Sequence, residues 1–221
     1  MWIRIAHSFD FAFLADPLVR YSVHGRRLST NYDAMLEECG IPYKAIKIDL
    51  EKGEQKTPNY LKINPSGQIP ALIDPDRPGG KPLVVAQSGA IILYLVDKTN
   101  KLMPREPLKR AAAQQWFLQA MSDVAPASGI LFVVGTIPEV TTSTRKLFEQ
   151  RLINQLRNAD RRLGESEFLA GELSIADVAL YPTVAFRREL IEQHGELRNL
   201  IRWIATMSAR PTVQRGMKVP V

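Results

Sequence analysis

The sequence predicts a small α/β domain followed by an all-helical domain. Up to residue 98, short apolar runs typical of strands alternate with segments of helical period. Beyond residue 107, every periodic segment has the helical spacing. Residues 99–107 between them are largely polar and contain Pro104 and Pro107, which is typical of an interdomain linker. With 221 residues, the chain is long enough to bury the cores of two small domains.

Residues 18–98 carry the strand and helix signals of the first domain. Residues 30–39 place Met35 and Cys39 on one helical face, and residues 43–50 alternate apolar and polar side chains as a half-buried strand does. The resulting order of strand, helix, strand, helix, strand, strand, helix is thioredoxin-like, with helices covering a mixed sheet. The predicted strands are 18–23, 43–50, 71–74 and 83–86, and the predicted helices are 30–39, 58–63 and 88–98.

Residues 108–221 are predicted to form the all-helical domain. Ser174 and Asp177 have the spacing of a capping box, in which the serine accepts a backbone N–H and the acid reaches back to the serine N–H. We assign this pair a structural role. Residues 1–17 are assigned as an N-terminal extension of unknown role. The predicted helices of the second domain are 110–125, 144–163, 174–185 and 197–207.

The composition argues against several classes of function. The net charge is +6, but the basic residues are dispersed, so no nucleic-acid partner is predicted. Cys39 is the single cysteine, which excludes a C-x-x-C redox pair and fits a reducing, cytoplasmic environment. The three histidines are scattered, so no metal is predicted. We find no run of about 18 apolar residues and therefore expect no membrane association.

Two neighbouring segments indicate a cradle for a small ligand. Pro70 begins a predicted strand, and a residue without an N–H is tolerated there only at a strand start or an exposed edge. The helix that closes the domain opens at Ser88. The unpaired N–H groups and the positive dipole end at a helix start favour a carboxylate or a phosphate.

These segments resemble the glutathione-binding half of the glutathione transferase family. The motifs that carry the resemblance are NPSGQIPAL at residues 64–72 and QSGAIILYL at residues 87–95. The resemblance covers residues 34–221, whereas residues 1–33 match poorly. Further similar stretches lie at residues 36–43, 49–55, 173–182 and 209–216, the last being similar to the tails of bacterial, nu-class-like members.

The resemblance implies how glutathione, as co-substrate, would be held. Pro70 would follow a cis peptide bond, and the backbone of Ile69 would pair with the cysteinyl part of the ligand. Gln87 and Ser88 would hold the γ-glutamyl end. The alternatives are a trans proline, Ser88 as a simple N-cap, and Gln55 as a solvated loop residue. The implied glutathione-binding residues are Gln55, Gln68, Ile69, Pro70, Gln87 and Ser88.

The donor that would stabilise the glutathione thiolate is not recognisable in the sequence. A thiol with a pKa of about 8.5 is only slightly ionised at neutral pH, so turnover needs such a donor. Without gaps, the family's donor loop aligns with Arg26 and Ser29, although Ser29 could instead cap the first helix. With a shifted alignment, Ser22 takes the donor position. Cys39 lies at the wrong end of the helix and has the pattern of a buried residue.

The implied reaction is the addition of an activated glutathione thiolate to a small electrophile. Trp116, Phe117 and Met121 could line an apolar pocket for that electrophile, and they would fit a helical core equally well. Two alternatives stay open. One is a non-catalytic binding or regulatory protein with the same fold, and the other is a glutathione-dependent reductase of disulfides or peroxides. The resemblance also implies a homodimer.

Overall fold

A computed structural model describes most of the chain. It covers residues 18–20, 31–75 and 82–218, with side chains described from residue 34 onwards. Some expectations lie outside these residues, so they stay predictions. They are the extension at residues 1–17 and the candidate thiolate donors Ser22, Arg26 and Ser29.

The described chain forms two compact units. The first unit holds the described residues up to Lys101 together with the C-terminal helix Pro211–Lys218, and the second unit is Leu102–Arg210. The predicted α/β domain and helical domain are therefore both present. The end of the chain, however, belongs to the α/β unit rather than to the helical domain predicted for residues 108–221.

The first unit contains two strand pairs. Strands β1 (Leu18–Arg20) and β2 (Tyr43–Ala45) are parallel, and strands β3 (Ala71–Asp74) and β4 (Leu83–Ala86) are antiparallel. Strand β1 lies beside β3, which brings the two pairs together.

Strand β2 is shorter than the alternation over residues 43–50 predicted. Ile48 is still buried, and Ile46 and Leu50 pack on the same cluster, so the alternation predicted burial correctly. It did not predict that strand pairing ends at Ala45.

The helices of the first unit begin and end at recognisable signals. Helix α1 (Asn31–Cys39) is followed by Gly40, whose φ of 66° suits a residue without a side chain. The Thr57 side chain accepts the Tyr60 N–H and caps α2 (Pro58–Ile63). Helix α3 (Ser88–Thr99) starts directly after Gln87, at the end of the hairpin.

A buried ion pair joins the sheet to α3. Asp74, at the end of β3, has no exposed surface and accepts hydrogen bonds from the Tyr94 hydroxyl and the Lys98 ammonium. Removing one partner would leave a buried charge without its counter-ion, which is strongly destabilising. The pair therefore stabilises the contact between the β3–β4 hairpin and α3.

The C-terminal helix α10 (Pro211–Lys218) packs on α1. Thr212 donates to the Glu38 carboxylate, and Arg215 Nε donates to Glu37 Oε2 at 2.7 Å. These contacts explain why the end of the chain belongs to the first unit.

The second unit is all helical. It begins earlier than predicted, because Pro104 is buried and the Leu102 carbonyl accepts the Ile175 N–H at 2.9 Å. The second half of the predicted linker is therefore part of this unit. Its helices are α4 (Pro107–Gln119), a π-helical turn (Ala120–Val124), α5 (Ala125–Thr136), α6 (Thr142–Glu165), α7 (Ile175–Phe186), α8 (Arg188–His194) and α9 (Arg198–Ser208).

The run from α4 to α5 bears on the expectation of no membrane contact. Pro107–Thr136 forms 30 consecutive helical residues with a mean hydropathy of 1.5 over its most apolar window. By length and composition alone this described helix could cross a bilayer. The indication is weak, because core helices of soluble proteins satisfy the same criterion.

The predicted capping box is present and forms the centre of a larger cluster. Asp177 is completely buried and accepts from the Ser174 N–H at 3.0 Å and the Ser174 hydroxyl at 3.1 Å. It also accepts from the Leu169 N–H at 3.1 Å and from the Trp203 indole at 3.0 Å. We call Leu169, Ser174, Asp177 and Trp203 the Asp177 cluster; it ties α7 to α9 and to the preceding loop.

Candidate functional site

The pairing of β3 with β4 brings the two predicted ligand-binding segments together. In this antiparallel pair, Ala71 is opposite Ala86. The residues just before β3 therefore lie at the same end of the hairpin as the residues just after β4. We call Ile69, Pro70, Gln87 and Ser88 the sheet-end site.

The Ile69 backbone is available to a ligand. The Ile69–Pro70 peptide bond is cis, which confirms the bond geometry expected from the resemblance and excludes the trans alternative. Pro70 is buried, and Ile69 is half-buried with its side chain against the Ile48, Tyr60 and Ile73 cluster. Among the residues that the structure describes, neither the N–H nor the C=O of Ile69 has a hydrogen-bond partner.

The Gln68 carbonyl, which precedes Ile69, accepts hydrogen bonds from two buried side chains. Gln68 has an exposed side chain, but its carbonyl accepts from the Tyr60 hydroxyl and from Asn64 Nδ2, each at 2.6 Å. Tyr60 and Asn64 are both 3% exposed. Neither residue is among the site residues predicted from the sequence. Asn64 is the first residue of the motif at residues 64–72. A polar residue directly before a proline turn was the sequence signal that could have indicated a hydrogen-bonding role.

The start of α3 differs from the alternative in which Ser88 is a simple N-cap. The N-cap is Gln87, with φ 74° and ψ 122°, and no side chain caps the helix there. Ser88 is the first helical residue, and its hydroxyl has no hydrogen-bond partner within the described chain. The first N–H groups of α3 also lack helical acceptors, as at any helix start.

The unusual backbone of Gln87 places its side chain outside regular structure. A positive φ is uncommon for a residue with a side chain and is typical of functional segments. Gln87 is exposed, so its amide can reach a ligand at the sheet-end site.

Gln55 is not a solvated loop residue, so that alternative is wrong. It lies in a short 3₁₀ helix (Glu54–Lys56), and its Nε2 is 3.5 Å from the Leu50 carbonyl. Its Oε1 is buried and has no hydrogen-bond partner in the described structure. A buried oxygen without a donor is costly, which favours a missing partner such as a ligand N–H.

The Gln55 turn touches the turn that leads into the sheet-end site. Lys56 Nζ donates to the Ser66 carbonyl at 3.4 Å. Gly67 has φ +58°, and a Cβ there would lie 3.0 Å from the Gln55 carbonyl oxygen. The same Cβ would lie 2.8 Å from Lys56 Nζ, so a side chain at Gly67 would require the two turns to move apart by a few tenths of an ångström. The glycine therefore allows their close approach.

Cys39 does not have the environment of a nucleophile. It is 4% exposed at the last residue of α1 and makes a 3.4 Å contact with the Thr99 hydroxyl. Burial raises the pKa of the Cys39 thiol, and the Thr99 hydrogen bond opposes that rise only in part. A neutral, buried thiol at a helix C-terminus is unreactive, as the sequence predicted.

The three residues predicted to line a second-substrate pocket have different surroundings. Phe117 is 3% exposed and belongs to the core of the second unit. Trp116 lines an open cleft of about 590 Å³, and half-buried Met121 is outside that cleft. The lining of the cleft is mixed rather than apolar as predicted, because polar and charged side chains lie beside Trp116 and Leu118. Its charged residues are Asp123, Arg161, Arg162 and Glu165.

Comparison with known proteins identifies the family. The glutathione S-transferase N-terminal domain matches residues 32–98. The disulfide-bond oxidoreductase YfcG of Escherichia coli K12 is 35% identical over 192 residues, covering 82% of this chain and 86% of that protein. The chain belongs to the glutathione transferase family. The finer, nu-class-like resemblance stays a prediction.

Other family members extend the similarity to nearly the whole chain. A second E. coli protein, the disulfide-bond oxidoreductase YghU, is 29% identical over 90% of this chain and 74% of its own length. A Pseudomonas putida glutathione transferase, solved with one glutathione disulfide per subunit, has a TM-score of 0.83 at 28% identity, with 94% of each chain covered. A Burkholderia graminis member with two glutathione molecules per subunit has a TM-score of 0.81 at 33% identity, covering 94% of this chain and 90% of that one. The thioredoxin-like domain and helical domain thus form the fold of this family.

Proposed function

We propose that this chain is a glutathione-dependent enzyme that binds glutathione at the sheet-end site and reduces disulfides with it. The observation that carries the binding site is the opposition of Ala71 and Ala86. It puts the Ile69 backbone and the Ser88 hydroxyl, neither of which has a partner among the described residues, at one hairpin end. A peptide ligand needs these two kinds of partner: backbone groups for its middle and donors for its carboxylate.

The γ-glutamyl end fits the start of α3. The Ser88 hydroxyl and the first N–H groups of the helix donate to its carboxylate, and the Gln87 amide oxygen accepts from its ammonium. The cysteinyl part lies along the backbone of Ile69. The buried Gln55 oxygen, which has no donor among the described residues, accepts an N–H from the ligand.

Disulfide reduction by glutathione needs no cysteine of the chain. The thiolate of one glutathione attacks the substrate disulfide, forming a mixed disulfide and releasing one substrate thiolate. The thiolate of a second glutathione attacks the glutathione sulfur of that mixed disulfide, which releases the second substrate thiolate and forms glutathione disulfide. Both electrons come from the two glutathione thiols, so no cysteine of the chain takes part.

Three findings support reduction as the leading proposal. The single cysteine is buried with a raised pKa, so a protein-based dithiol is excluded. YfcG and YghU are named disulfide-bond oxidoreductases. The Pseudomonas and Burkholderia structures hold glutathione disulfide or two glutathione molecules in each subunit.

Addition of glutathione to an electrophile is the second candidate, and membership of the transferase family favours it. Like the reduction, this reaction depends on a donor that stabilises the glutathione thiolate, for which Ser29, Arg26 and Ser22 stay the predicted residues. It also needs a second-substrate pocket, for which Trp116 stays a proposal. A third candidate, a non-catalytic binding protein, would keep the sheet-end site without turnover. For each of these candidates we expect a cytoplasmic homodimer.

Retention on immobilised glutathione, followed by two assays, separates the candidates. The reductase should reduce a mixed disulfide of glutathione and show little activity with an aryl halide, whereas the transferase should show the reverse. A Cys39→Ala variant serves as control and should retain full reductase activity. Loss of activity in that folded variant would contradict the cysteine-independent mechanism, and absence of retention would contradict glutathione binding.

A further inference from the structure

We infer that Tyr60 and Asn64 act as a pair of positioning residues that aim the Ile69 N–H at the peptide ligand. This inference deepens the proposed glutathione site and rests on it. Neither side chain reaches the ligand. Each acts through the peptide group between Gln68 and Ile69.

The first step is the convergence of two donors on one oxygen. The Tyr60 hydroxyl and Asn64 Nδ2 each lie 2.6 Å from the Gln68 carbonyl oxygen. Both side chains are 97% buried, and they approach from α2 and from the turn that follows it. A carbonyl oxygen has two lone pairs, so two buried donors saturate it and hold it towards the interior.

The second step follows from the geometry of the peptide group. The Gln68–Ile69 bond is not among the cis bonds of the described chain, so its C=O and N–H point in opposite directions within one plane. An oxygen held towards the interior therefore turns the Ile69 N–H away from it. This N–H has no hydrogen-bond partner among the described residues.

The third step is the rigidity of the turn that carries Asn64. The Asn64 side chain also accepts the Ser66 N–H at 3.2 Å, and the Asn64 carbonyl accepts the Gly67 N–H at 2.8 Å. Because its Nδ2 also donates to the Gln68 carbonyl, the buried Asn64 side chain binds both the start of the turn, at Ser66, and its end, at Gln68. The orientation of the Gln68–Ile69 peptide group is therefore fixed before a ligand binds. This lowers the conformational entropy that is lost on binding.

The test uses variants that remove the donors with little change in volume. Tyr60→Phe deletes only the hydroxyl. Asn64→Asp removes the N–H donor and keeps an oxygen for the Ser66 N–H. Asn59→Asp is the matched control, because Asn59 is exposed on the same helix α2. Tyr43→Phe, which removes a 2.9 Å hydrogen bond to Glu37 elsewhere in the first unit, controls for general loss of a tyrosine hydroxyl.

Calorimetric titration with reduced glutathione should give a dissociation constant raised about fivefold by Tyr60→Phe and on the order of thirtyfold by the double variant. In the two control variants the dissociation constant should stay within about twofold of the parent value, because neither substitution removes a hydrogen bond to the Gln68 carbonyl. At saturating glutathione, kcat should be unchanged while KM for glutathione rises in parallel with the dissociation constant.

A spectroscopic readout separates positioning from mere stability. In ¹⁵N-labelled parent protein, glutathione should shift the Ile69 amide resonance, and this response should be lost in the double variant while thermal unfolding shows that the variant is folded. If the parent protein binds glutathione but the double variant binds it equally well, the positioning role is wrong. If the parent protein does not bind glutathione at all, the proposed function itself fails.

Discussion

The Asp177 cluster and the sheet-end site differ in how their polar groups are satisfied. In the cluster, a fully buried carboxylate receives four hydrogen bonds, from Leu169, Trp203 and both donors of Ser174. At the sheet-end site, the Ile69 backbone and the Ser88 hydroxyl have no partner within the described chain. The cluster is complete without a ligand, whereas the site is not.

The largest effect should follow from opening the cluster. Asp177→Ala leaves the Leu169 N–H, the Ser174 N–H and the Trp203 indole buried without an acceptor, so we expect a loss of about 3–5 kcal/mol in the free energy of unfolding. Urea unfolding at neutral pH, followed by tryptophan fluorescence, measures this loss. The control is Glu167→Ala, since Glu167 is exposed. Glutathione affinity of the folded fraction should be unaffected. An equal loss of stability in both variants would contradict the role of the cluster.

The next effect concerns the pH dependence of stability. Burial raises the pKa of Asp177 to about 6, and its hydrogen bonds oppose that rise only in part. The ordinary aspartate pKa is about 3.9, so between these values the folded state keeps a proton that the unfolded state has released. The stabilisation that comes from the proton retained on Asp177 is therefore fully present below pH about 4 and is lost as pH rises to about 6, a change on the order of 3 kcal/mol. The hydrogen bonds of the cluster remain above that pH and are what Asp177→Ala removes.

Urea unfolding of the parent protein and of Asp177→Asn across this pH range isolates that contribution, because the asparagine does not titrate. The difference between the two unfolding free energies should change between pH about 4 and about 6 and be constant above it. A difference that stays constant throughout would mean that the four donors keep the carboxylate ionised when folded.

A smaller effect is expected at the sheet-end site itself. Ser88→Ala removes a hydroxyl at the start of α3 that has no partner in the described part of the chain, so stability should hardly change, while glutathione affinity should fall by roughly 1–3 kcal/mol. Calorimetry measures the affinity, and Ser66→Ala, an exposed serine in the preceding turn, is the control. Equal affinities for the parent and Ser88→Ala would mean that the γ-glutamyl end binds elsewhere.

The smallest effect should come from the glycine between Gln55 and Ile69. Gly67→Ala and Gly53→Ala both place a side chain at positive φ, of +58° and +71°, and each should cost about 1 kcal/mol of stability. Only at Gly67 does the new Cβ approach the Gln55 backbone, since nothing lies within 4 Å of it at Gly53. Glutathione affinity should therefore fall only in Gly67→Ala. A matching fall in Gly53→Ala would attribute the effect to backbone strain alone.

Much of the site could be predicted from sequence because its parts are local. The start of α3 indicated a group of unpaired donors. The cis bond before Pro70 was implied by the family resemblance of residues 64–72, since a proline alone does not predict it. The hydrogen bonds from Tyr60 and Asn64 to Gln68 could not be predicted. Periodicity can indicate which face of a helix is buried, but it does not indicate which carbonyl the Tyr60 hydroxyl reaches.

Local residue patterns were enough to predict helix α2, strands β3 and β4, and the capping box of Ser174 and Asp177. The motifs at residues 64–72 and 87–95 were enough to indicate the family. The packing of α10 on α1 was visible only in the tertiary structure. Its hydrogen bonds join Thr212 to Glu38, which are 174 positions apart in the chain, and Arg215 to Glu37, which are 178 positions apart. The tertiary structure also placed Phe117 in the core and left Trp116 at a cleft. Periodicity and capping arise within a few residues, whereas the partner of a buried face is chosen by packing across the whole chain.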